Sequence, residues 1–329
     1  MSALIRSFPI VNTNFAGRKT PSTNGSRMRI LITGSNGLLG QKLVAALRSD
    51  PSVQLLATSR GGDRTPEPLG ALYRTMDITV AAEVDVVFKV TRPDVVIHTA
   101  AMTNVDACEL DPTACRLQNV TATEFLVAAA LRYSCHFIHL STDFIFDGSN
   151  GPYREGDAAA PLSIYGHSKL DSENVVMHAG LAKWAIARTI IVYGIAEGLS
   201  RSNVVLWAKS ALEKGQPINV VDDQWRMPTL AEDLADGCIQ IAKRGAKGVY
   251  NLSGPDGMSI LELVERVGAF FNLDTSVIRP IKSDSLGQPA KRPPRTGFIL
   301  DKARKELGYH PRTFEDGLAV LRHQLEVGA

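Results

Sequence analysis

The chain has 329 residues, of which 44% are hydrophobic, and its formal net charge is +2. This length supports one large core or two modest ones, so we expect a main domain with a smaller one appended. The basic residues form no stripe interleaved with aromatic residues, which excludes nucleic acid and anionic membranes as predicted partners and leaves a small molecule.

Residues 1–27 contain four basic residues, no acidic residue and no sustained periodicity, so they are predicted to form a flexible arm before a folded part that starts at Met28. No uncharged apolar run reaches the roughly 20 residues needed to span a bilayer. The four cysteines, whose spacing is not typical of a metal site, are Cys108, Cys115, Cys135 and Cys238. Because of this spacing, we predict reduced thiols, a cytoplasmic location and no metal.

A glycine-rich turn follows the first predicted strand. The apolar run Met28–Thr33 leads into Gly34, Gly37 and Gly40, and leucines then recur at helical spacing. The first glycine permits a tight turn, the second lets the backbone approach a pyrophosphate, and the third lets the helix pack on the strand. The turn predicts a dinucleotide site, with a purely structural turn as the alternative. The residues predicted to bind the dinucleotide here are Gly34, Asn36, Gly37, Leu38 and Leu39.

The end of the second predicted strand bears on the choice of cofactor. Val53–Thr58 ends at Ser59 and Arg60, where the adenosine ribose is expected. No carboxylate stands there to accept hydrogen bonds from a ribose 2′-hydroxyl, whereas Arg60 can pair with a 2′-phosphate. NADPH is therefore favoured over NADH, and a solvated surface arginine is the alternative. After a third short strand, Asp77 and Ile78 are placed against the adenine.

Small residues also end the fourth predicted strand, Asp94–His98. A cofactor can lie against the backbone at such a place, so the nicotinamide is predicted beside Ala100, Ala101 and Met102. Asn119 is predicted to begin the next helix, where it either caps that helix or reaches across to the backbone of the active site.

The fifth predicted strand, His136–Leu140, ends in hydroxyl side chains. In open parallel sheets, ligands bind beyond the ends of the central strands. Ser141 or Thr142 is therefore a candidate to hold a substrate carbonyl oxygen, although both residue types also end strands for turn reasons alone.

Tyr165 and Lys169 are the residues around which the predicted chemistry is organised. On a helix, the phenol and the ammonium lie one turn apart on the same face. A neighbouring ammonium favours the phenolate of a tyrosine whose ordinary pKa is about 10, so the pair can exchange a proton near neutrality. Such exchange suits the reduction of a carbonyl. An exposed helix that happens to carry both residues is the alternative.

Strands and helices alternate up to residue 252, which predicts an α/β fold with a doubly wound, Rossmann-like parallel sheet. The polar stretch Asp222–Thr229 is placed at the rim of the pocket, either to bind a charged substrate group or as a solvated loop. The predicted division is a dinucleotide-binding domain of residues 28–192 and 222–252 and a smaller α/β substrate domain of residues 193–221 and 253–329.

Together these motifs resemble the extended short-chain dehydrogenase/reductases, and the resemblance covers nearly everything after Met28. The residues that carry it are Thr33-Gly34-x-x-Gly37-x-x-Gly40, Asn119, Ser141-Thr142 and Tyr165-x-x-x-Lys169. Within that group the chain is most similar to the dTDP-4-dehydrorhamnose reductases. The further segments are Ser141–Gly148, Thr103-x-Val105-Asp106, Tyr165–Leu170, Val221–Gln224, Pro228-Thr229, Arg292-Pro293 and Leu300-Asp301.

This resemblance implies an NAD(P)H-dependent reduction of a 4-keto nucleotide sugar, dTDP-4-dehydro-L-rhamnose to dTDP-L-rhamnose, and is compatible with a homodimer. It implies that Tyr165 donates a proton to the sugar C4 oxygen and that Thr142 hydrogen-bonds that oxygen. It also implies that Lys169 binds the nicotinamide ribose and lowers the tyrosine pKa. The remaining residues predicted to bind the substrate are Asp143, Ile191, Asn203, Trp225 and Arg226.

Two positions depart from the reductases, which often carry Tyr where this chain has Phe144 and Trp where it has Ile191. A related nucleotide sugar is therefore an alternative substrate. A sugar-nucleotide 4,6-dehydratase needs an acid at position 144, which argues against that reaction. A C4 epimerase fits the Tyr/Lys pair, but the absence of an acid near Arg60 counts against tightly bound NAD. The chain also resembles the regulatory β subunit of methionine adenosyltransferase, a partner protein of a different functional class.

Overall fold

A computed structural model describes residues 27–199 and 203–327. Apart from Arg27, the predicted N-terminal arm lies outside the described residues. In these two ranges, no helix is long and apolar enough to cross a membrane. The same ranges contain no group of three or more His, Cys, Asp or Glu side chains placed to hold a metal ion.

Thirteen strands and eleven α-helices are described. The strands are β1 (Met28–Thr33), β2 (Val53–Ser59), β3 (Tyr73–Thr75), β4 (Val95–His98), β5 (His136–Thr142), β6 (Trp184–Thr189), β7 (Val192–Tyr193), β8 (Ile218–Val221), β9 (Trp225–Arg226), β10 (Thr229–Leu230), β11 (Gly248–Asn251), β12 (Met258–Ser259) and β13 (Ile278–Ile281). The helices are α1 (Leu38–Leu47), α2 (Ala81–Thr91), α3 (Val105–Leu110), α4 (Pro112–Arg116), α5 (Ala122–Arg132), α6 (Ile164–His178), α7 (Val204–Glu213), α8 (Ala231–Arg244), α9 (Ile260–Phe271), α10 (Asp301–Leu307) and α11 (Phe314–Val327).

The main sheet has seven strands in the order β11-β6-β5-β4-β1-β2-β3. Every neighbouring pair in it is parallel. All residues of β4 and β5 are buried, as expected of central strands with helices on both faces. The predicted doubly wound α/β fold is therefore confirmed. The chain runs outward from β1 through β2 and β3 and then returns to β4, so the strand order reverses between β1 and β4, and ligands bind at such a point.

Two hydrophobic cores cover the faces of this sheet. One contains Leu43 of α1, Leu234 of α8 and Leu307 of α10. The other contains Phe88 of α2 and Leu126 of α5, together with part of α6. The sequence predicts that residues 253–329 belong to the substrate domain, yet α10 packs against α8 and β11 of the main core.

A third core forms the smaller lobe at one side of the sheet. It joins α7, α9 and α11 through buried residues such as Leu212, Val264 and Leu318. Three two-stranded pairs lie outside the main sheet, β7 with β10, β8 with β13 and β9 with β12, and residues of β8 and β13 pack in this third core. The polar stretch Asp222–Thr229, predicted as a loop or pocket rim, thus contributes β9 and the start of β10.

The helix before β5 differs from the prediction. Asn119 does not begin a helix, because Leu117–Thr121 form a π-helical turn that continues directly from α4 into α5. The capping role predicted for Asn119 is therefore wrong. Asn119 instead lies in the middle of a continuous helical segment, from which its side chain projects.

Candidate active site

The glycine turn and the end of β4 meet at the carboxyl edge of the sheet. Gly34 has a φ of +75°, and a Cβ added there would lie 2.8 Å from the backbone nitrogen of Ala100. Thr99 donates its hydroxyl proton to the carbonyl of Thr33 over 2.7 Å. The segment predicted to lie beside the nicotinamide, with Ala101 and Met102, is therefore held against the glycine turn.

Glycine is needed at the two later positions of the turn, Gly37 and Gly40, for different reasons. A Cβ on Gly40 would lie 2.2 Å from the carbonyl oxygen of Gly34, so the packing of α1 on the turn requires glycine there. A Cβ on Gly37 would meet only that same oxygen, at 3.3 Å. Gly37 is also the N-cap of α1 and offers no side-chain cap. This leaves room beside a helix N-terminus, which fits the pyrophosphate of the predicted dinucleotide.

Asn36 holds a neighbouring loop with its side chain. Its Nδ2 donates to the carbonyl of Gly62 over 2.8 Å, and its Oδ1 accepts from the backbone N–H of Arg64 over 2.9 Å. Both ends of the amide are therefore engaged in holding this loop, and the predicted contact of Asn36 with a dinucleotide stays a prediction. Gln41, which the sequence did not reveal, ties α1 to the backbone N–H and carbonyl of Glu197.

The residues predicted around the adenosine lie close together. Arg60 follows β2, and its charge acts on Asp77. Burial opposes ionisation of Asp77, but two hydrogen bonds from Thr79 and the positive charge of Arg60 bring its pKa below the ordinary value. Ile78 packs beside the second core, and Ser59 ends β2. These residues therefore lie near one another, and their contact with an adenosine stays a prediction.

Tyr165 lies in the first turn of α6, which Ser163 caps by accepting from the N–H of Gly166 over 3.2 Å. The tyrosine is 8% exposed. Burial raises its pKa above the ordinary value, a hydrogen bond with Thr142 opposes that rise, and the charge of Asp143 adds to it. The sequence predicted a lowered pKa. The pKa of Tyr165 shifts in the opposite direction because removing a phenolate from water costs more free energy than the neighbouring groups offset.

Lys169 lies one turn further along α6 and is 3% exposed. Its Nζ donates to the carbonyl of Leu140 over 2.7 Å and lies 3.2 Å from Nε2 of His139. Burial lowers the pKa of Lys169 to about 8, opposed by the charges of Glu173 and Cys115. The lysine is therefore anchored to β5, and its predicted contact with a nicotinamide ribose stays a prediction.

Asn119 reaches across to the active-site backbone, as the second alternative predicted. Its Oδ1 accepts from the N–H of Met102 over 2.8 Å, and its Nδ2 donates to the carbonyl of Met102 over 3.0 Å. Nδ2 also lies 2.9 Å from Oγ of Ser168, which in turn donates to the carbonyl of Tyr165. The π-helical turn brings the amide between the end of β4 and α6, so it fixes both.

Asp143 and Arg226 are each 1% exposed and face one another inside the protein. The Nε of Arg226 is 3.8 Å from Oδ2 of Asp143. Thr142 and Thr296 donate to the two carboxylate oxygens of Asp143. Burial raises the Asp143 pKa, and Arg226 and the two hydroxyls oppose the rise. Asp143 and Arg226 thus hold Thr142 in place, and the sugar contacts predicted for them stay a prediction.

The other predicted substrate residues are arranged differently. Asn203 caps α7 by accepting from the N–H of Leu206 and donates to the carbonyl of Gly194, so its amide supports the lobe. Trp225 is 41% exposed, with the guanidinium of Arg295 over its ring, and its predicted contact with the substrate stays a prediction. Ile191 has a φ of +32°, a conformation that costs a β-branched residue about 1–3 kcal/mol and is typical of ligand sites.

His139 was missed by the sequence reasoning. It stands two residues before Ser141 on β5, so the period of the strand places the two side chains on one face. The alternation of side chains along β5 could therefore have identified His139 from the sequence. No such signal could have identified Thr296, because it lies far from Asp143 along the chain.

Comparisons with known proteins agree with this arrangement. Methionine adenosyltransferase 2 subunit beta of Xenopus tropicalis is 32% identical over 265 residues, which is 79% of this chain and 77% of that protein. The dTDP-4-keto-6-deoxy-D-glucose reductase of Streptomyces niveus is 30% identical over 297 residues, 90% of this chain and 93% of that protein. The dTDP-4-dehydrorhamnose reductase of Bacillus anthracis, solved in complex with NADP, superposes with a TM-score of 0.79 at 25% identity, covering 91% of this chain and 99% of that one.

The family model of the RmlD substrate binding domain matches residues 28–326. This range includes the glycine turn, the Tyr165 helix and the smaller lobe. The resemblance to extended short-chain dehydrogenase/reductases drawn from the motifs is confirmed, and the chain belongs to the RmlD substrate-binding domain family.

Proposed function

We propose that this chain uses NADPH to reduce the 4-keto group of a nucleotide sugar, with dTDP-4-dehydro-L-rhamnose as substrate and dTDP-L-rhamnose as product. The observation that carries the proposal is the meeting of Tyr165 and Thr142 at the carboxyl edge of the sheet, next to a glycine turn that fits a dinucleotide. The names of the Streptomyces niveus and Bacillus anthracis relatives support the substrate class.

The dinucleotide would be held by Gly34, Gly37 and the N-terminus of α1, with Arg60 beside a ribose 2′-phosphate. When bound, the reduced nicotinamide supplies a hydride. The Bacillus anthracis structure contains NADP, which supports a nicotinamide cofactor and favours NADPH together with Arg60.

Tyr165 has the protonation state that this reaction needs. Because burial raises its pKa, the phenol keeps its proton at neutral pH and releases it only to a more basic oxygen. The alkoxide that develops at C4 of the sugar is such an oxygen. Thr142 lies beside Tyr165 and donates its hydroxyl proton to Asp143; turned toward the sugar, the same hydroxyl would hydrogen-bond the reacting oxygen next to the phenol.

The test is an NADPH-oxidation assay with enzymatically made dTDP-4-dehydro-L-rhamnose and other 4-keto nucleotide sugars, with mass spectrometry of the product. Tyr165→Phe is expected to lower kcat at least about 100-fold while NADPH binding is retained. Tyr133→Phe, which removes a phenol hydroxyl outside the site, is the matched control and should keep full activity. Failure of the unaltered chain to oxidise NADPH with every such sugar would contradict the proposal.

A second candidate function is a regulatory subunit, favoured by the 32% identity to methionine adenosyltransferase 2 subunit beta over most of the chain. On that hypothesis the purified chain turns over no keto sugar but co-elutes with a methionine adenosyltransferase catalytic subunit and changes its kinetics. Turnover without such association would exclude it.

A further inference from the structure

A buried histidine lies directly beneath Lys169. His139 is on β5, only 1% exposed, and its Nε2 is 3.2 Å from the Nζ of Lys169. The same nitrogen is 2.9 Å from Oγ of Ser172, and this oxygen is 2.8 Å from the carbonyl oxygen of Lys169, so the one hydroxyl proton of Ser172 can be donated to either of them. Its Nδ1 has no hydrogen-bonding partner among the described residues. The ring therefore makes its polar contacts through Nε2.

These contacts determine which ring nitrogen of His139 accepts a hydrogen bond. A charged Lys169 has three N–H donors and no lone pair. Next to it, a protonated Nε2 would set one donor against another, whereas an unprotonated Nε2 accepts from the ammonium. The Ser172 hydroxyl has a single proton, so when Nε2 carries the lone pair that proton is donated to Nε2 instead of to the carbonyl of Lys169. Burial and the charge of Lys169 both lower the pKa of His139, so the ring is neutral and one of its nitrogens carries a lone pair.

Other ionisable groups surround the amine. Glu173, on α6, is paired with Arg188 of β6 over 2.7 Å. Cys115 of α4 also acts on Lys169, and Tyr165 lies one turn away on α6. The ring of His98 of β4 lies tilted beside that of His139, with ring centroids 5.3 Å apart, but its nitrogens contact Thr33 and Thr123. His139 is thus the titratable side chain in hydrogen-bond contact with the Lys169 amine in the described part of the chain.

We propose that His139 is a positioning residue for Lys169: its unprotonated Nε2 accepts a hydrogen bond from the ammonium, which keeps the buried amine charged and anchored at β5. A charge-assisted hydrogen bond offsets part of the cost of removing an ammonium from water. Together with the Leu140 carbonyl, it uses two of the three donors and leaves one for a ligand. The consequence for catalysis rests on the proposed reductase function, but the contact itself does not.

The decisive measurement is the titration of Lys169 in ligand-free protein, followed by NMR of lysine labelled with ¹³C at Cε and assigned by loss of the signal in Lys169→Met. The midpoint is expected near 8 in the unaltered chain. His139→Phe should move it down by about one pH unit, because the acceptor is gone. His139→Gln, whose amide oxygen can accept, should restore about half of that shift or more.

His98→Phe is the matched control, because it places the same ring at a buried histidine of the neighbouring strand that has no bond to Lys169. It should leave the Lys169 midpoint in place. An unchanged or raised midpoint in His139→Phe would overturn the proposal.

If His139→Phe does not fold, ¹⁵N NMR of the histidine ring in the unaltered chain gives the answer at pH 7. An unprotonated Nε2 is expected there, and a proton on Nε2 overturns the proposal. In the reductase assay, the alkaline limb of the kcat/KM profile should shift with the NMR midpoint. A chain that reduces no keto sugar but shows the NMR shift would contradict the reductase function and leave the His139 contact standing.

Discussion

Tyr165 and Lys169 are removed from water together, and burial moves their pKa values in opposite directions. The sequence suggests that a nearby ammonium dominates and makes the phenol more acidic. In the folded chain the desolvation of each group is larger than their mutual effect. The tyrosine therefore keeps its proton well above neutral pH, and the lysine loses its proton more readily than an exposed lysine does.

Buried histidines make the stability of the chain depend on pH. Burial lowers the pKa of His98 to about 3 and that of His139 well below its usual value. The unfolded chain binds these protons near pH 6.5 and the folded chain does not, so stability is complete above that pH and is lost as the pH falls toward 3. For His98 the loss should reach about 2 kcal/mol by about pH 5.

Urea unfolding at pH 7 and at about pH 5 measures this loss. His98→Gln should reduce the difference between the two pH values by about 2 kcal/mol relative to the unaltered chain. The exposed His178, replaced by Gln, is the control and should leave the difference as it is. An identical pH dependence in His98→Gln would show that this ring is protonated in the folded state.

At the scale of elements, the contact between the β1–α1 turn and the end of β4 places the site. Gly34 and Gly40 are fixed by atoms of the chain itself, whereas Gly37 has little of its own chain to meet. The same motif therefore combines a requirement of folding with one of binding.

Alanine substitutions should separate these two requirements. Gly40→Ala drives a Cβ into the carbonyl of Gly34 and should lower the free energy of unfolding by at least about 2 kcal/mol. Gly37→Ala should cost less than about 1 kcal/mol but weaken NADPH binding at least about 10-fold, since its Cβ points to the side where the pyrophosphate is expected. Chemical denaturation and calorimetric titration measure the two effects, and equal losses of stability in both variants would contradict this separation.

At the scale of the whole molecule, the smaller lobe depends on a helix from the end of the chain. Leu318 of α11 is fully buried among residues of α7 and α9. The lobe carries no part of the glycine turn, but Asn203 and the start of α7 adjoin the segment that follows β7. Its packing should therefore govern the sugar side of the site more than the cofactor side.

Leu318→Ala is expected to destabilise the chain by about 3 kcal/mol through the cavity it leaves. It should raise KM for the nucleotide sugar more than Kd for NADPH. Leu110→Ala, at a position 75% exposed, is the control and should change stability by less than about 0.5 kcal/mol. If Leu318→Ala raised Kd for NADPH more than KM for the nucleotide sugar, the smaller lobe would not govern mainly the sugar side of the site.

The amino-acid sequence by itself determined the elements whose signals are local. The β1 turn, the buried central strands and the one-turn spacing of Tyr165 and Lys169 follow from periodicity and from the steric needs of glycine, which act between residues close in the chain. The doubly wound sheet followed from the alternation of these elements. His139 was within reach of the same reasoning, because strand alternation places it on the face of Ser141.

Only the tertiary structure decided what surrounds the charged groups. The pairing of Asp143 with Arg226 and Thr296, and the anchoring of Asn36 to Gly62, join residues far apart in sequence. Sequence patterns assign such polar residues to a ligand, because a polar side chain near a site carries no local mark of the partner it meets. The burial of such a side chain and the partner that it contacts together determine its charge and the direction in which it points. Burial and partner are both established only when distant segments of the chain pack against each other.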